Sequence, residues 1–119
     1  SAANLSLAVY FMDERNEPQK AARVVDAAIA ATPRLPEHSV TIAIQLEKLQ
    51  RLDEAVEQYQ RALQHGSQYP TVVDWLAELE EKLGRTEDAI AHYRRVLELD
   101  PNYSGVIDRL GRLRAQAVE

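Results

Sequence analysis

Leu83 to Pro101 reads LGRTEDAIAHYRRVLELDP, the order of residue types expected of a helix entered from a tight turn and closed by proline. Gly84 suits the end of a preceding helix, because glycine accepts the left-handed backbone that closes a helix C-terminus. Thr86 is then placed to cap the next helix, and Glu87 and Asp88 put negative charge at its positive end. Ala89, Ile90, Tyr93, Val96 and Leu97 recur at helical spacing and form one apolar stripe. Asp100-Pro101-Asn102 ends the helix, since proline disfavours helical geometry in the residue before it.

The same order recurs upstream without a gap. Thirty-four residues before Ala89 lies Ala55; Tyr93 maps to Tyr59, Leu97 to Leu63 and Pro70 to Pro36. A further step of thirty-four reaches Ala21, with Val25 at the Tyr position and Pro33 matching Pro101. The third copy reads Val73-x2-Leu76-Ala77-x2-Glu80, Ala89-x3-Tyr93, Pro101. The second reads Ser39-x2-Ile42-Ala43-x2-Leu46, Ala55-x3-Tyr59, with Ser67 in place of the proline. The first reads Leu5-x2-Ala8-Val9-x2-Met12, Ala21-x3-Val25, Pro33. A fixed period of this length with paired helices resembles the tetratricopeptide repeat (TPR). The resemblance covers residues 2–103 and implies an all-α fold, a right-handed superhelix of antiparallel-paired helices, whose family role is to bind other proteins.

On this reading the 119 residues are one domain, with repeats at about 2–35, 36–69 and 70–103 and a closing helix at about 104–117. Seven helices are expected: Asn4–Arg15, Pro18–Ala31, Glu37–Gln50, Asp53–His65, Pro70–Leu83, Thr86–Leu99 and Ser104–Ala117. Thr32 to Pro36 and Gly66 to Gln68 are the breaks between repeats. The last helix occupies the first-helix slot of a fourth repeat and carries Ile107, Leu110 and Leu113 on one stripe. A single amphipathic helix with a polar outer side closes such a stack by covering the last apolar face.

Composition narrows the partner. A net charge of -5 argues against nucleic acid, which needs a basic face, and favours basic or apolar protein partners. There is no cysteine, hence no disulfide framework and no thiolate chemistry. No apolar run approaches the roughly 18–20 residues that span a bilayer, so direct membrane insertion is not expected. The chain opens on Ser rather than Met and reads as an excised part of a longer protein. The compartment is left open.

In the TPR family the first helix of each repeat lines a concave groove. Carried over by position, the resemblance places Tyr10, Asp13 and Glu14 of the first repeat there, Val40, Ile44 and Glu47 of the second, and Asp74, Trp75, Glu78 and Glu81 of the third. The groove so drawn has an apolar middle and an acidic flank, and suits a peptide or helix bearing apolar anchors with Lys or Arg. The plainer reading of the carboxylates is a solvated face. Trp75 is either a binding anchor or a ring packed beneath the closing helix. The positions with which TPR co-chaperones hold a terminal carboxylate fall on Ser6, Tyr10, Thr41, Thr71 and Trp75; none is basic and none is Asn, so that mode is not expected. The Asn4–Arg15 segment is apolar nearly all round, and Leu7 and Phe11 are candidates for self-association or for packing on flanking repeats.

No catalytic chemistry is found. His38, His65 and His92 occupy different repeat positions and do not stack into a metal site, and no cofactor is implied. There is no phosphate-cradling glycine loop and no activated nucleophile. An interaction scaffold is therefore the leading function. The alternatives are a structural stretch of a longer array, a self-associating module, or a regulatory appendage of an enzyme lying outside this chain.

Overall fold

The computed structural model describes residues 17–31, 36–66 and 68–118. Among them are six helices: α1 (Pro18–Ala30), α2 (Pro36–Lys48), α3 (Leu52–Gln64), α4 (Pro70–Lys82), α5 (Thr86–Leu99) and α6 (Val106–Val118). The expected first helix, Asn4–Arg15, lies outside the described residues, and with it Leu7, Tyr10, Phe11, Asp13 and Glu14. Residues 32–35 and Ser67, expected in inter-repeat breaks, lie outside them too. The described residues fall into two compact units, divided between Ser67 and Gln68.

In the first unit α2 and α3 pack as a hairpin, with α1 against α2. The buried set alternates small and large: Ile42, Ala43 and Leu46 from α2, and Ala55, Val56, Tyr59 and Ala62 from α3. Alanines let the backbones approach while Tyr59 fills the space beyond, the interdigitation that close packing requires. Ala21, Val25 and Ala28 are the buried face of α1. The Arg51 guanidinium reaches Asp26 of α1 at 2.7 Å and Glu54 of α3 at 2.6 Å. These carboxylates raise the Arg51 pKa further above its ordinary value. Both pairs are partly exposed and add little stability each, but they fix where α1 meets the hairpin turn.

The second unit repeats the hairpin with α4 and α5 and adds α6 against α5. Val73, Leu76, Ala77 and Leu79 of α4 are buried, as are Ala89, Tyr93 and Val96 of α5. The apolar stripe of α6 is Val106, Leu110 and Leu113, whereas Ile107 is 62% exposed. Leu110 and Leu113 are buried as the sequence predicts, and Val106 stands in the place expected for Ile107. The helix begins at Val106, and from there the spacing i, i+4, i+7 points residues 106, 110 and 113 to one side and turns Ile107 about 100° away.

The two hairpin turns are closed alike. At the end of α4, Gly84 has φ +79°, its N–H donates to the Glu81 carbonyl, and the Arg85 N–H donates to the Glu80 carbonyl at 2.8 Å. This is the Schellman closure, which satisfies carbonyls that a helix end otherwise leaves orphaned. At the end of α2, Gln50 has φ +62°, its N–H donates to the Glu47 carbonyl, and the Arg51 N–H donates to the Leu46 carbonyl at 2.9 Å. Gln50 therefore stands one period before Gly84 and does glycine's conformational work. Thr86 is the first helical residue of α5 rather than its cap. The cap position is Arg85, and it makes no side-chain capping hydrogen bond. The reason is local: the Schellman closure already spends residues 84 and 85 on the turn, so the helix begins directly after them.

One core position changes character between the hairpins. Leu46 of α2 is replaced one period later by Glu80, which is only 1% exposed. Its carboxylate meets the His92 ring Nδ1 at 2.6 Å, where the earlier hairpin has Gln58. A buried carboxylate without a partner is costly, so His92 is a structural requirement of Glu80. The hydrogen bond to Glu80 raises the His92 pKa against the opposing effect of its burial.

Gln50→Gly is expected to stabilise the protein by about 1 kcal/mol, and Gly84→Ala to destabilise it by a similar amount, because left-handed backbone costs an L side chain about that much. A Cβ at Gly84 meets nothing within 4 Å, so the Gly84 effect is purely conformational. Urea titration checks both. Because the folded pKa of His92 lies above the ordinary imidazole value, the stability it confers is complete below about pH 6.5 and is lost as pH rises through the folded value. The melting temperature should therefore fall between slightly acidic and alkaline pH, and His92→Gln, which keeps a donor but does not titrate, should flatten that slope.

Candidate binding faces on α2 and α4

Each hairpin's first helix has two sides. On α2, Ser39, Ile42, Ala43, Gln45 and Leu46 are buried. Projected at 100° per residue they span one arc, and Val40, Ile44 and Glu47 lie on the opposite arc, all half-buried. Two aliphatic side chains one turn apart are thus left partly open beside a carboxylate. Glu47 is held in place: the Tyr59 hydroxyl, from the hairpin core, donates to its Oε2 at 2.5 Å. Thr41 on the same outer arc donates to the Glu37 carbonyl within its own helix.

On α4 the buried arc is wider and includes Asp74 and Glu80 with the apolar residues. Thr71, Trp75, Glu78 and Lys82 form the exposed stripe, with Glu81 at its edge. Trp75 is 37% exposed and stands between Thr71 and Glu78 on that stripe. Glu81 accepts a hydrogen bond from the Tyr93 hydroxyl at 2.9 Å, the same contact as Tyr59 with Glu47 one period earlier. Burial, and then the Glu81 carboxylate, push the Tyr93 phenol well above its ordinary range, so it stays a donor.

Asp74 was expected on the open acidic flank, yet it is 5% exposed. The Tyr103 hydroxyl donates to Asp74 Oδ2 at 3.1 Å, and Arg109 Nη1 of α6 donates to Asp74 Oδ1 at 3.0 Å. Burial raises the Asp74 pKa, while Tyr103 and Arg109 oppose the shift by stabilising the carboxylate. The same Arg109 nitrogen lies 2.8 Å from Glu78 Oε1. One guanidinium thus bridges two carboxylates a helical turn apart. Beside it is an open depression of about 290 Å3 lined by Glu78, Glu81, Lys82, Tyr93, Arg109 and Arg112.

The structure brings Asp74 and Glu78 together on Arg109, and Glu78 and Glu81 to the wall of one depression. Val40, Ile44 and Glu47 share the outer arc of α2 in the other unit. Sequence reasoning missed Arg109 and Tyr103 as parts of the α4 face. Arg109 lies thirty-five residues after Asp74, one more than the repeat period, and that spacing is the signal that finds it: α6 presents its sixth repeat position to the fifth position of α4. Among the described residues no group of three or more His, Cys, Asp or Glu is placed to hold a metal, and no helix is long and apolar enough to cross a membrane.

Comparison with known proteins agrees with this architecture. Among solved structures, the chain superposes on a MamA crystal structure with TM-score 0.80 at 17% identity, covering 96% of this chain and 66% of that one. The first TPR of Spaghetti (RPAP3), bound to an HSP90 peptide SRMEEVD, matches with TM-score 0.79 at 18% identity over 99% of this chain and 93% of that one. A tetratricopeptide repeat protein from Parabacteroides merdae gives TM-score 0.82 at 23% identity, over 98% of this chain and 46% of that one. The chain thus spans slightly under two-thirds of MamA and about half of the Parabacteroides protein. At these identities the likeness is one of fold. No curated protein matches the sequence. The tetratricopeptide repeat family model matches residues 40–104, more than half of the chain and the whole of the α2–α5 region beyond its first residues. With an all-helical fold, paired hairpins and this match, the chain belongs to the tetratricopeptide repeat family.

Proposed function

We propose that the chain is a protein-interaction scaffold that binds a peptide or helical segment of a partner on the outer faces of its first helices, as part of a larger assembly. Val40 and Ile44 carry the proposal. They are aliphatic, one turn apart and half-open, on the side of α2 opposite its packed stripe. Such a pair gains from burial against a partner's apolar side chains, at roughly 25 cal/mol per Å2 removed from water. Glu47, held by Tyr59, sets a negative charge beside them, and on α4 Trp75 stands on the exposed stripe with Glu78. A segment with apolar anchors and Lys or Arg matches this chemistry. Peptide binding by proteins of similar fold, the Spaghetti (RPAP3) domain with its HSP90 peptide among them, supports the role but does not supply the partner. The role is binding rather than catalysis: Glu47, Glu78 and Glu81 sit on open helix faces, where water is not excluded and general acid–base work is disfavoured.

A second reading is a stretch of a longer TPR array. It is supported by near-complete coverage of this chain within the larger MamA and Parabacteroides merdae structures. The two readings are compatible, since an array binds through the same helix faces.

The test compares capture of partners by the native chain and by Val40→Glu/Ile44→Glu, with circular dichroism to confirm equal helicity. The variant is expected to lose the captured protein, a drop of at least tenfold, while keeping its fold, because both positions lie outside the buried set. Equal capture by the two chains rules out the α2 face as the binding surface.

A further inference from the structure

We infer that Arg109 is a built-in competitor for the acidic face of α4. It occupies from within the chain the place that a partner's Lys or Arg would take, so the second unit admits a basic segment only when Arg109 gives way. The inference rests on the proposed binding role and names a control on it.

The geometry is specific. Arg109 Nη1 lies between Asp74 Oδ1 at 3.0 Å and Glu78 Oε1 at 2.8 Å. Those are two of the three α4 carboxylates on which the acidic flank depends. The third, Glu81, is already held by the Tyr93 hydroxyl. Around the depression Lys82 and Arg112 add two more cations. With Arg109 seated, three carboxylates therefore face three cations, and the face offers an incoming basic segment no net attraction.

Arg109 is also placed to be exchanged. Its side chain remains 31% exposed and that of Glu78 44% exposed, so the Glu78 end of the bridge is wet, whereas the Asp74 side chain is only 8% exposed. Wet ion pairs contribute little net stability, because water competes for both partners. Replacing one cation by another conserves the charge balance at Asp74, whose second oxygen accepts from the Tyr103 hydroxyl. Arg109 is not the only anchor of α6: Val106, Leu110 and Leu113 are buried as well. The side chain can thus leave without undocking the helix.

The experiment uses the full chain and a fluorescently labelled Lys-rich octapeptide, with binding read by anisotropy at low salt. Arg109→Gln is expected to bind the probe about tenfold more tightly than the native chain. Arg109→Lys should bind as the native chain does, because it restores the internal cation. Arg94→Gln removes the same charge from the exposed side of α5 and is expected to change affinity by less than about twofold. The gain should vanish when Asp74→Asn/Glu78→Gln is added to Arg109→Gln. Melting curves confirm that each variant is folded. If Arg109→Gln gains no more than Arg94→Gln, the competitor inference is overturned. If in that case Asp74→Asn/Glu78→Gln alone still abolishes binding, the acidic face stands as a binding surface. If the probe binds no variant at all, the inference and the acidic part of the binding role fall together, while the α2 face is judged separately by Val40→Glu/Ile44→Glu.

Discussion

The hydrogen bond from a core tyrosine to a carboxylate on the partner helix is the contact on which the rest of each hairpin depends. Tyr59 donates to Glu47, and Tyr93 donates to Glu81 one repeat later. Each ring is buried in the hairpin core while its hydroxyl reaches a carboxylate of the first helix. The ring fixes the distance between the two helices by filling volume. The hydroxyl fixes their rotation, because it must reach a carboxylate that an error of one residue in register would carry about 100° away. The left-handed closure at Gln50 or Gly84 lies three residues beyond each of these carboxylates and sets the angle at which the second helix returns. Core packing, turn and outer face are thereby one device used twice.

That device explains how a small helical unit presents an ordered polar face. A carboxylate on an exposed helix ordinarily samples many rotamers, and ordering it on binding costs free energy. Here the tyrosine has already ordered it. In the second unit Asp74 is also held, by Tyr103 and Arg109, and Arg109 pairs with Glu78 as an internal cation. The first unit offers an aliphatic pair beside one fixed charge; the second offers an aromatic ring beside a charge-balanced cluster. The two units share a fold and present different chemistry.

Much of the fold was readable because its determinants are local or periodic. Pro70, Gly84 and the Ala89–Tyr93 pair mark boundaries and core by residue type alone. The thirty-four-residue step carries the same assignment to α2 and α3. What escaped was set by side chains that reach across the period. Gln50 carries no glycine signal, and only its match to Gly84 reveals a left-handed residue. Asp74 reads as a surface carboxylate until Tyr103 and Arg109, twenty-nine and thirty-five residues later, are seen to cover it. The stripe of α6 slipped from Val106 to Ile107 because the helix start there follows a glycine turn whose end no local residue marks. Glu80 breaks the apolar pattern of its position and is understood only through His92, one helix away.

The most direct test of the account is a double-mutant cycle on the repeated lock, with stability measured for Tyr93→Phe, Glu81→Gln and the pair. A hydrogen bond to a charged group should give a coupling of about 1–2 kcal/mol, with Tyr59 and Glu47 giving the same within error. A coupling near zero at both sites would contradict the account. It would mean that core volume alone aligns the helices, and that Glu47 and Glu81 are ordinary mobile surface carboxylates.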